Sequence, residues 1–283
     1  MTTTPVVLLT LLAMIAFAGN SLLCRLALKD THIDAATFTT IRLISGALVL
    51  WLIVLVRRNS KSGSRSWLSA LALFTYASCF SFAYLSLPAG TGALLLFGAV
   101  QATMIGYGLW VGERLRMRQT AGFIVALGGL VLLVLPGLSA PPLFGSGLML
   151  IAGVAWGTYS LRGRYAGEPI RTTAENFLRA VPLALVLSVI MSPRFSFDRV
   201  GFLYAIASGA LASGVGYAIW YTAVRGLRAT QAATVQLSVP VIATGGGIAF
   251  LGEQPGLRLV IASGAILGGI ALVVLGRRAS NDI

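Results

Sequence analysis

The sequence has 283 residues, of which 57% are hydrophobic and only 10% are charged, and its mean hydropathy is +0.88. A soluble domain carries about 25% charged residues, so this composition excludes a water-soluble globule. A transmembrane helix needs about 20 apolar residues, and the chain has room for roughly ten such helices with little left over. The composition therefore also excludes a separate soluble catalytic or nucleotide-binding domain.

Apolar runs between charged or polar residues predict an all-α integral membrane protein with ten transmembrane helices. In chain order the predicted helices cover residues 5–24, 37–56, 67–87, 91–111, 119–136, 144–161, 173–191, 200–222, 230–250 and 257–276. The first run starts at Pro5 with no basic residue before it and is long enough to span, so we expect no removable signal. Both cysteines, Cys24 and Cys79, lie in apolar runs, so we expect no disulfide.

The basic residues predict the orientation of the chain. On one side of the predicted bundle lie fourteen: Arg57, Arg58, Lys61, Arg65, Arg114, Arg116, Arg118, Arg162, Arg164, Arg171, Arg225, Arg228, Arg277 and Arg278. On the other side lie five, which are Arg25, Lys29, Arg194, Arg199 and Arg258, while Arg42 and Arg179 fall inside predicted helices. Because cytoplasmic loops carry the excess of Lys and Arg, we expect both termini in the cytoplasm. The net charge of +13 therefore indicates membrane orientation and not a nucleic-acid partner.

The sequence contains an internal repeat. Residues 127–135 read LGGLVLLVL and residues 267–275 read LGGIALVVL, while Gly112-Glu113 corresponds to Gly252-Glu253, all at an offset of 140. Arg42 and Arg179, and likewise Tyr84 and Tyr221, are related by an offset of 137. The matches predict two homologous units of five helices, residues 1–138 and 139–283. Because five is odd, the second unit enters the membrane from the opposite side, as in transporters built from inverted repeats.

Five plus five helices with short loops, Gly-Glu at the ends of the fourth and ninth, and LGG runs in the fifth and tenth resemble the drug/metabolite transporter superfamily, EamA type. The resemblance implies a multi-pass protein of the bacterial plasma membrane that works by alternating access. It also implies export of amino acids or other metabolites, and it includes an aromatic amino-acid exporter branch. It fixes no individual site residue.

The ionisable residues give no support for catalysis. None of the eight acids lies mid-helix, and the single histidine, His32, lies in a predicted loop. We found no pattern typical of a metalloenzyme or an intramembrane protease, so we expect no catalytic residues, no metal and no cofactor. The missing mid-membrane carboxylate favours facilitated diffusion or exchange, although coupling through Glu113 or Glu253 stays open.

Four charged residues near helix ends form a gating hypothesis. We predict alternating ion pairs between the repeats, Arg42–Glu253 on the outer side and Arg179–Glu113 on the inner side, since a glutamate at a helix C-terminus needs a cationic partner. The simpler alternative is that the arginines extend towards the lipid headgroups and that Glu175 pairs with Arg179 four residues on.

Neutral hydrogen-bonding and aromatic side chains near mid-depth indicate the substrate class. Such a lining suits a small zwitterionic or amphipathic solute, whereas a dianionic sugar phosphate would need a midplane Lys or Arg, which we do not expect here. Packing or an interfacial aromatic belt is the alternative role for the aromatic residues. The predicted substrate-binding residues are Asn20, Tyr76, Ser78, Gln101, Trp156, Tyr159, Ser213, Tyr217, Trp220, Gln236 and Pro240.

Pro240 is included because it falls about ten residues into the ninth predicted helix, where a proline removes one helical hydrogen bond and kinks the helix. An interrupted helix is typical of a transporter binding region. The alternative is that Pro240 only shapes the packing.

Together these patterns predict an exporter of small neutral or zwitterionic metabolites, most of all aromatic or large apolar amino acids, working by alternating access around a midplane cavity. Efflux of amphipathic drugs, a channel-like pore and a structural membrane protein are the alternatives. The expected partners are a small-molecule substrate and the lipid bilayer, and we expect a monomer or a weak homodimer.

Overall fold

A computed structural model describes residues 3–57, 66–112, 115–137, 140–163, 168–223, 227 and 235–276. All regular structure in these ranges is helical, which confirms the all-α prediction. The ten helices are α1 Thr3–Asp30, α2 Ala35–Val56, α3 Trp67–Tyr84, α4 Ala89–Trp110, α5 Met117–Val134, α6 Leu143–Gly163, α7 Pro169–Ile190, α8 Arg199–Ala223, α9 Ser238–Leu251 and α10 Leu257–Gly276. Nine of these described helices have the length and apolar composition to cross a membrane, and α9 is shorter.

Two helix boundaries differ from the sequence prediction and move charges into the bundle. Helix α1 runs on to Asp30, so Arg25 belongs to the helix and not to a loop. Helix α2 begins at Ala35 because the Asp34 carboxylate accepts hydrogen bonds from the backbone of Ala36 and Thr37, the usual N-cap geometry. At a rise of about 1.5 Å per residue, Arg42 therefore lies about 10 Å inside the helix.

The helix contacts follow the two-fold relation between the repeats. Helix α5 packs on α10, α2 on α7 and α4 on α9, so each of these pairs joins equivalent helices. The contact of α3 with α6 has its equivalent in that of α8 with α1, and the contact of α4 with α6 in that of α9 with α1. The chain is thus two five-helix repeats of opposite orientation whose facing helices form one core.

Particular glycines of the repeats permit this packing. Gly122 on α5 and Gly269 on α10 lie backbone against backbone, with Gly269 so close to the Gly122 carbonyl that neither has room for a Cβ. Gly112 and Gly252, the glycines of the two repeated Gly-Glu pairs, both have positive φ angles, 96° and 62°. A residue in this left-handed region ends a helix, and glycine adopts it most readily.

The helix connections lie alternately at two ends of the bundle. The connection between α1 and α2 shares its end, called here the α1–α2 end, with the connections α3–α4, α5–α6, α7–α8 and α9–α10. Hydrogen bonds join these loops: the backbone of Asp34 donates to the Ser196 carbonyl, and the Ser196 backbone donates to the Asp34 carboxylate. The opposite end, called the α2–α3 end, carries the start of α3 and the end of α6, where Arg162 donates to the hydroxyls of Ser66 and Ser69.

Candidate functional site

A central cavity lies between the repeats, with walls from α1, α3 and α4 of the first and α6 and α8 of the second. The space between its lining atoms amounts to about 350 Å³, open edges included. Most of this space is too narrow for a water molecule, so a substrate enters only when the walls move apart. The lining residues are Phe17, Asn20, Ser21, Tyr76, Phe80, Leu96, Phe97, Trp156, Ala212, Ser213 and Tyr217.

Five of the eleven predicted binding residues line this cavity: Asn20, Tyr76, Trp156, Ser213 and Tyr217. Trp156 is the centre of the aromatic wall, with ring centroids 4.8 Å from Tyr76 and 5.2 Å from Tyr217. These three rings come from three helices and both repeats. Their apolar faces and polar edges form a surface that suits an amphipathic solute.

A polar network crosses the cavity wall from one repeat to the other. Ser208 of α8 donates to the Asn20 side-chain oxygen at 2.7 Å, and the Asn20 amide donates to the Tyr76 hydroxyl oxygen at 3.3 Å. The Arg42 guanidinium donates to the same hydroxyl oxygen at 3.1 Å. Ser208 and Ser213 belong to Ala207–Val215, a π-helical segment of α8, and such segments are frequent at functional sites.

A second cavity of about 330 Å³ lies towards the α2–α3 end. Tyr159 lines it, and its ring stacks on Trp156 of the central cavity at 5.5 Å. The Tyr159 hydroxyl contacts Thr173 and Asn176 of α7, both of which also line this second cavity. The stacked pair of Trp156 and Tyr159 is therefore a partition between the two cavities.

The remaining predicted binding residues lie apart from both cavities. Ser78 donates to the Phe74 carbonyl of its own helix, Trp220 packs edge-on against Phe17, and Gln101 is buried in α4. Gln236 is half-buried just before α9. A binding role for these residues stays a prediction.

The ninth predicted helix is interrupted just before Pro240. Val235 and Gln236 are helical, Leu237 forms a turn, and α9 begins at Ser238, so Pro240 lies in the first turn after the break. A proline has no backbone N–H with which to continue the hydrogen bonding of the preceding helical residues, which accounts for an interruption at this place. A role of Pro240 in substrate binding stays a prediction.

Glu253 pairs with Arg25 and not with Arg42. The Arg25 Nε lies 3.4 Å from the Glu253 Oε1, and the side chains are 13% and 14% exposed. Arg25 also donates to the Tyr84 carbonyl at 2.8 Å, and the Glu253 carboxylate accepts the Ala89 backbone N–H at 2.8 Å. We call this set the Arg25–Glu253 clamp. It joins the end of α1, the α3–α4 connection and the α9–α10 connection, and so ties the repeats together at the α1–α2 end.

Arg42 instead lies inside the bundle, 2% exposed, where it packs against Tyr76 and Phe80 of the cavity wall. Arg179 pairs with Glu175 four residues away, as the simpler alternative predicted. Glu113 lies outside the described residues, so the Arg179–Glu113 pair stays a prediction.

Arg25 is a functional candidate that the sequence reasoning missed, although the sequence contains a signal for it. Arg25 and Arg162 are related by the offset of 137 that also relates Arg42 to Arg179. Arg25 and Arg162 both bind across the repeats at opposite ends of the bundle. The occurrence of an arginine at equivalent positions of both repeats therefore indicates a shared role better than its position near a helix end does.

An inverted pair of five-helix repeats around a polar and aromatic cavity is the architecture of a secondary transporter. The model of the EamA-like transporter family matches residues 4–135 and again residues 143–275. The chain therefore belongs to the EamA-like transporter family and is a multi-pass membrane protein.

Known relatives agree with this assignment. An uncharacterized protein of Pseudomonas aeruginosa is 56% identical over 276 residues, which cover 96% of each chain. A probable terminal-alkyne amino-acid exporter of Streptantibioticus cattleyicolor is 26% identical over 221 residues, 74% of this chain and 73% of that protein. A crystal structure with 20% identity covers 98% of this chain and 99% of its own with a TM-score of 0.70, which supports the fold.

Proposed function

We propose that this transporter exports small zwitterionic metabolites, foremost amino acids with aromatic or large apolar side chains. The observation that carries the proposal is the wall of the central cavity, where Tyr76, Trp156 and Tyr217 meet in one aromatic surface beside the Asn20 amide. Aromatic rings bind an apolar side chain, while hydroxyl and amide groups bind the polar end of the solute. The relative named as an amino-acid exporter supports the same substrate class.

The proposed mechanism is alternating access. The two units, residues 1–138 and 139–283, rock about the cavity so that it opens first to one end of the bundle and then to the other. In the described conformation, the Arg25–Glu253 clamp holds the repeats together at the α1–α2 end. The described residues that line the cavity include no aspartate or glutamate, which favours facilitated diffusion or exchange over coupling through a carboxylate in the cavity.

The proposed orientation places both termini in the cytoplasm of a bacterial plasma membrane, so that the α1–α2 end faces outwards. Fourteen against five basic residues support it. A cysteine introduced at Ala140, in the α5–α6 connection, is then labelled by an impermeant maleimide in whole cells. Labelling only after lysis would contradict this orientation, because it would place the α1–α2 end in the cytoplasm.

Counterflow in proteoliposomes tests the function. Vesicles preloaded with unlabelled L-phenylalanine should accumulate labelled L-phenylalanine, with saturation and without a pH gradient. Stimulation by a pH gradient would contradict the uncoupled mechanism. Flux that never saturates would indicate a pore, and counterflow of cationic dyes in place of amino acids would indicate drug efflux.

A pair of tryptophan variants locates the binding surface in the same assay. Trp156→Ala removes the centre of the aromatic wall, and losing aromatic contacts of about 1.4 kcal/mol raises the apparent KM about tenfold. Trp51→Ala is the matched control because Trp51 is exposed on the outer surface of α2. An equal KM for both variants would refute the proposed site.

A further inference from the structure

Arg42 is a buried cation, and no ion pair within the described ranges supplies it with a carboxylate. The ion pairs described there are Arg25–Glu253, Arg171–Glu175 and Arg179–Glu175. The Arg42 side chain is 2% exposed, and its Nη1 has no hydrogen-bond partner among the described atoms. Arginine stays protonated in proteins, and an isolated buried charge is strongly unfavourable. A charge retained in such a place within a membrane is a candidate functional group.

The neighbours of Arg42 belong to the wall of the central cavity. Its guanidinium carbon lies 5.3 Å from the ring centroid of Tyr76 and 4.8 Å from that of Phe80, and both rings line the cavity. The two rings attract the cation through their π faces. Arg42 therefore acts on the cavity from directly behind its wall.

Tyr76 carries the effect of Arg42 to the cavity surface. Its hydroxyl oxygen accepts one hydrogen bond from Arg42 and one from the Asn20 amide. A phenol oxygen accepts at most two hydrogen bonds, so the Tyr76 hydroxyl has only its own proton left to offer. Both bonds also withdraw electron density from the oxygen, which makes this proton a stronger donor.

A second donor faces the same cavity. The Ser213 hydroxyl is buried in the cavity wall and has no partner among the described atoms. Within the described ranges, no aspartate or glutamate lines the cavity. The cavity thus combines free hydroxyl donors with an unpaired cation behind them, which is complementary to an anion.

We propose that Arg42 and Tyr76 are the carboxylate-recognition element of the transporter. This inference rests on the proposed export of amino acids and deepens it. The Tyr76 hydroxyl and the Ser213 hydroxyl donate to the substrate carboxylate, while Arg42 supplies the compensating positive charge. It also corrects the sequence expectation that no Lys or Arg lies near the midplane site, since Arg42 is such a residue.

The element makes the carboxylate the required group of the substrate. An uncharged amide in place of the carboxylate gains nothing from the positive charge, and an amine without a carboxylate is repelled by it. Charged hydrogen bonds are about twice as strong as neutral ones. We therefore expect selection for acids over the corresponding amides.

The test measures binding to the purified full-length protein by thermal stabilisation, since a ligand that binds only the folded state raises the Tm. The four probes are L-phenylalanine, its amide, phenylacetate and phenethylamine. Phenylalanine and phenylacetate should bind the wild type roughly tenfold to hundredfold more tightly than the amide and the amine. Arg42→Gln should abolish this preference by weakening only the two carboxylates.

Two further variants separate recognition from folding. Tyr76→Phe keeps the ring that contacts Arg42 and removes only the hydroxyl, so it should reduce the preference for carboxylates without changing affinity for the amide. Arg258→Gln is the matched control, because Arg258 also has a buried Nη1 without a partner but lies at the start of α10, outside the cavity lining. It should keep the wild-type preference.

Each outcome decides the inference. A carboxylate preference that is lost in Arg42→Gln, reduced in Tyr76→Phe and kept in Arg258→Gln supports it. Equal binding of acids and amides by the wild type, or an unchanged preference in Arg42→Gln, overturns it even if amino acids are transported. Arg42-dependent binding of phenylacetate without any phenylalanine counterflow would keep the carboxylate element and refute the amino-acid function. Failure of all four probes to bind would overturn the element itself.

Discussion

Glu253→Gln should open the transporter at the α1–α2 end. The substitution keeps the shape of the side chain and one neutral acceptor, but it removes the charge that faces Arg25 and the N-terminus of α4. These contacts join the two repeats, so they exist only while this end is closed. Losing them destabilises the closed state and leaves the open state unaffected.

The magnitude follows from three contributions to the clamp. A hydrogen bond to a charged acceptor exceeds a neutral one by about 1 kcal/mol, as applies to the Ala89 N–H. A carboxylate at a helix N-terminus adds about 0.5 kcal/mol. The Arg25 and Glu253 side chains are only 13% and 14% exposed, and the cost of removing both charges from water offsets most of their attraction, which leaves about 0.5 kcal/mol for the ion pair. The total of about 2 kcal/mol shifts the equilibrium between closed and open states about 30-fold.

Cysteine labelling measures this shift. A cysteine at Ala212, in the wall of the central cavity, is introduced into a variant in which Cys24 and Cys79 are alanine. The rate of labelling by an impermeant maleimide from the α1–α2 side reports the open population. We expect the rate to rise about 30-fold in Glu253→Gln, as the 2 kcal/mol shift requires.

Asp198→Asn provides the control for this measurement. Asp198 lies at the same end, and in the part of the chain that the structure describes its carboxylate accepts hydrogen bonds only from the backbone of its own helix, at Val200 and Gly201. Asp198→Asn therefore removes one negative charge, as Glu253→Gln does, but breaks no contact between the repeats. If Glu253→Gln and Asp198→Asn are labelled at the same rate, the clamp does not hold the α1–α2 end closed and the reasoning is wrong.

Two further predictions concern packing and the partition between the cavities. Gly269→Ala should destabilise the protein by about 1–3 kcal/mol, because the new Cβ would meet the Gly122 carbonyl and lie 2.6 Å from the Ala126 nitrogen. Gly268→Ala is the control and should not lower the Tm, because Gly268 has open space around it. An equal loss of Tm in both variants would show that close contact at Gly269 does not stabilise the α5–α10 packing. Tyr159→Ala should increase the rate at which maleimide added from the α2–α3 side labels the cysteine introduced at position 212, because the substitution removes the ring stacked on Trp156. An unchanged rate would show that the stacked pair does not limit access between the two cavities.

The fold could be predicted from the sequence because its determinants are local. A membrane-spanning helix is specified by the length of an apolar run, and nine described helices meet that requirement. The repeated glycines of the LGG and Gly-Glu segments also marked real features, since Gly269 lies in the α5–α10 contact and Gly112 and Gly252 end helices with positive φ angles.

The site was predicted only in part because helix ends and facing directions had to be known. Arg42 was expected near Glu253 from its distance to the helix end, but the packing of α2 buries it behind the cavity wall, where it donates to Tyr76. The interruption of the ninth helix near Pro240 was predictable, because a proline acts on its own local backbone. The partners of a side chain depend on the face of the helix on which it lies and on the helices that pack there, which the sequence pattern does not specify.

The sequence by itself determined that the chain crosses the membrane about ten times as two related units, because hydrophobic length and repetition are properties of the chain alone. Only the tertiary structure decided that Arg25 binds Glu253 across 228 positions, and that Arg42, Tyr76, Asn20 and Ser208 form one network. Such contacts depend on how helices of the two repeats pack and rotate against each other, and this arrangement cannot be read from the sequence of any one helix.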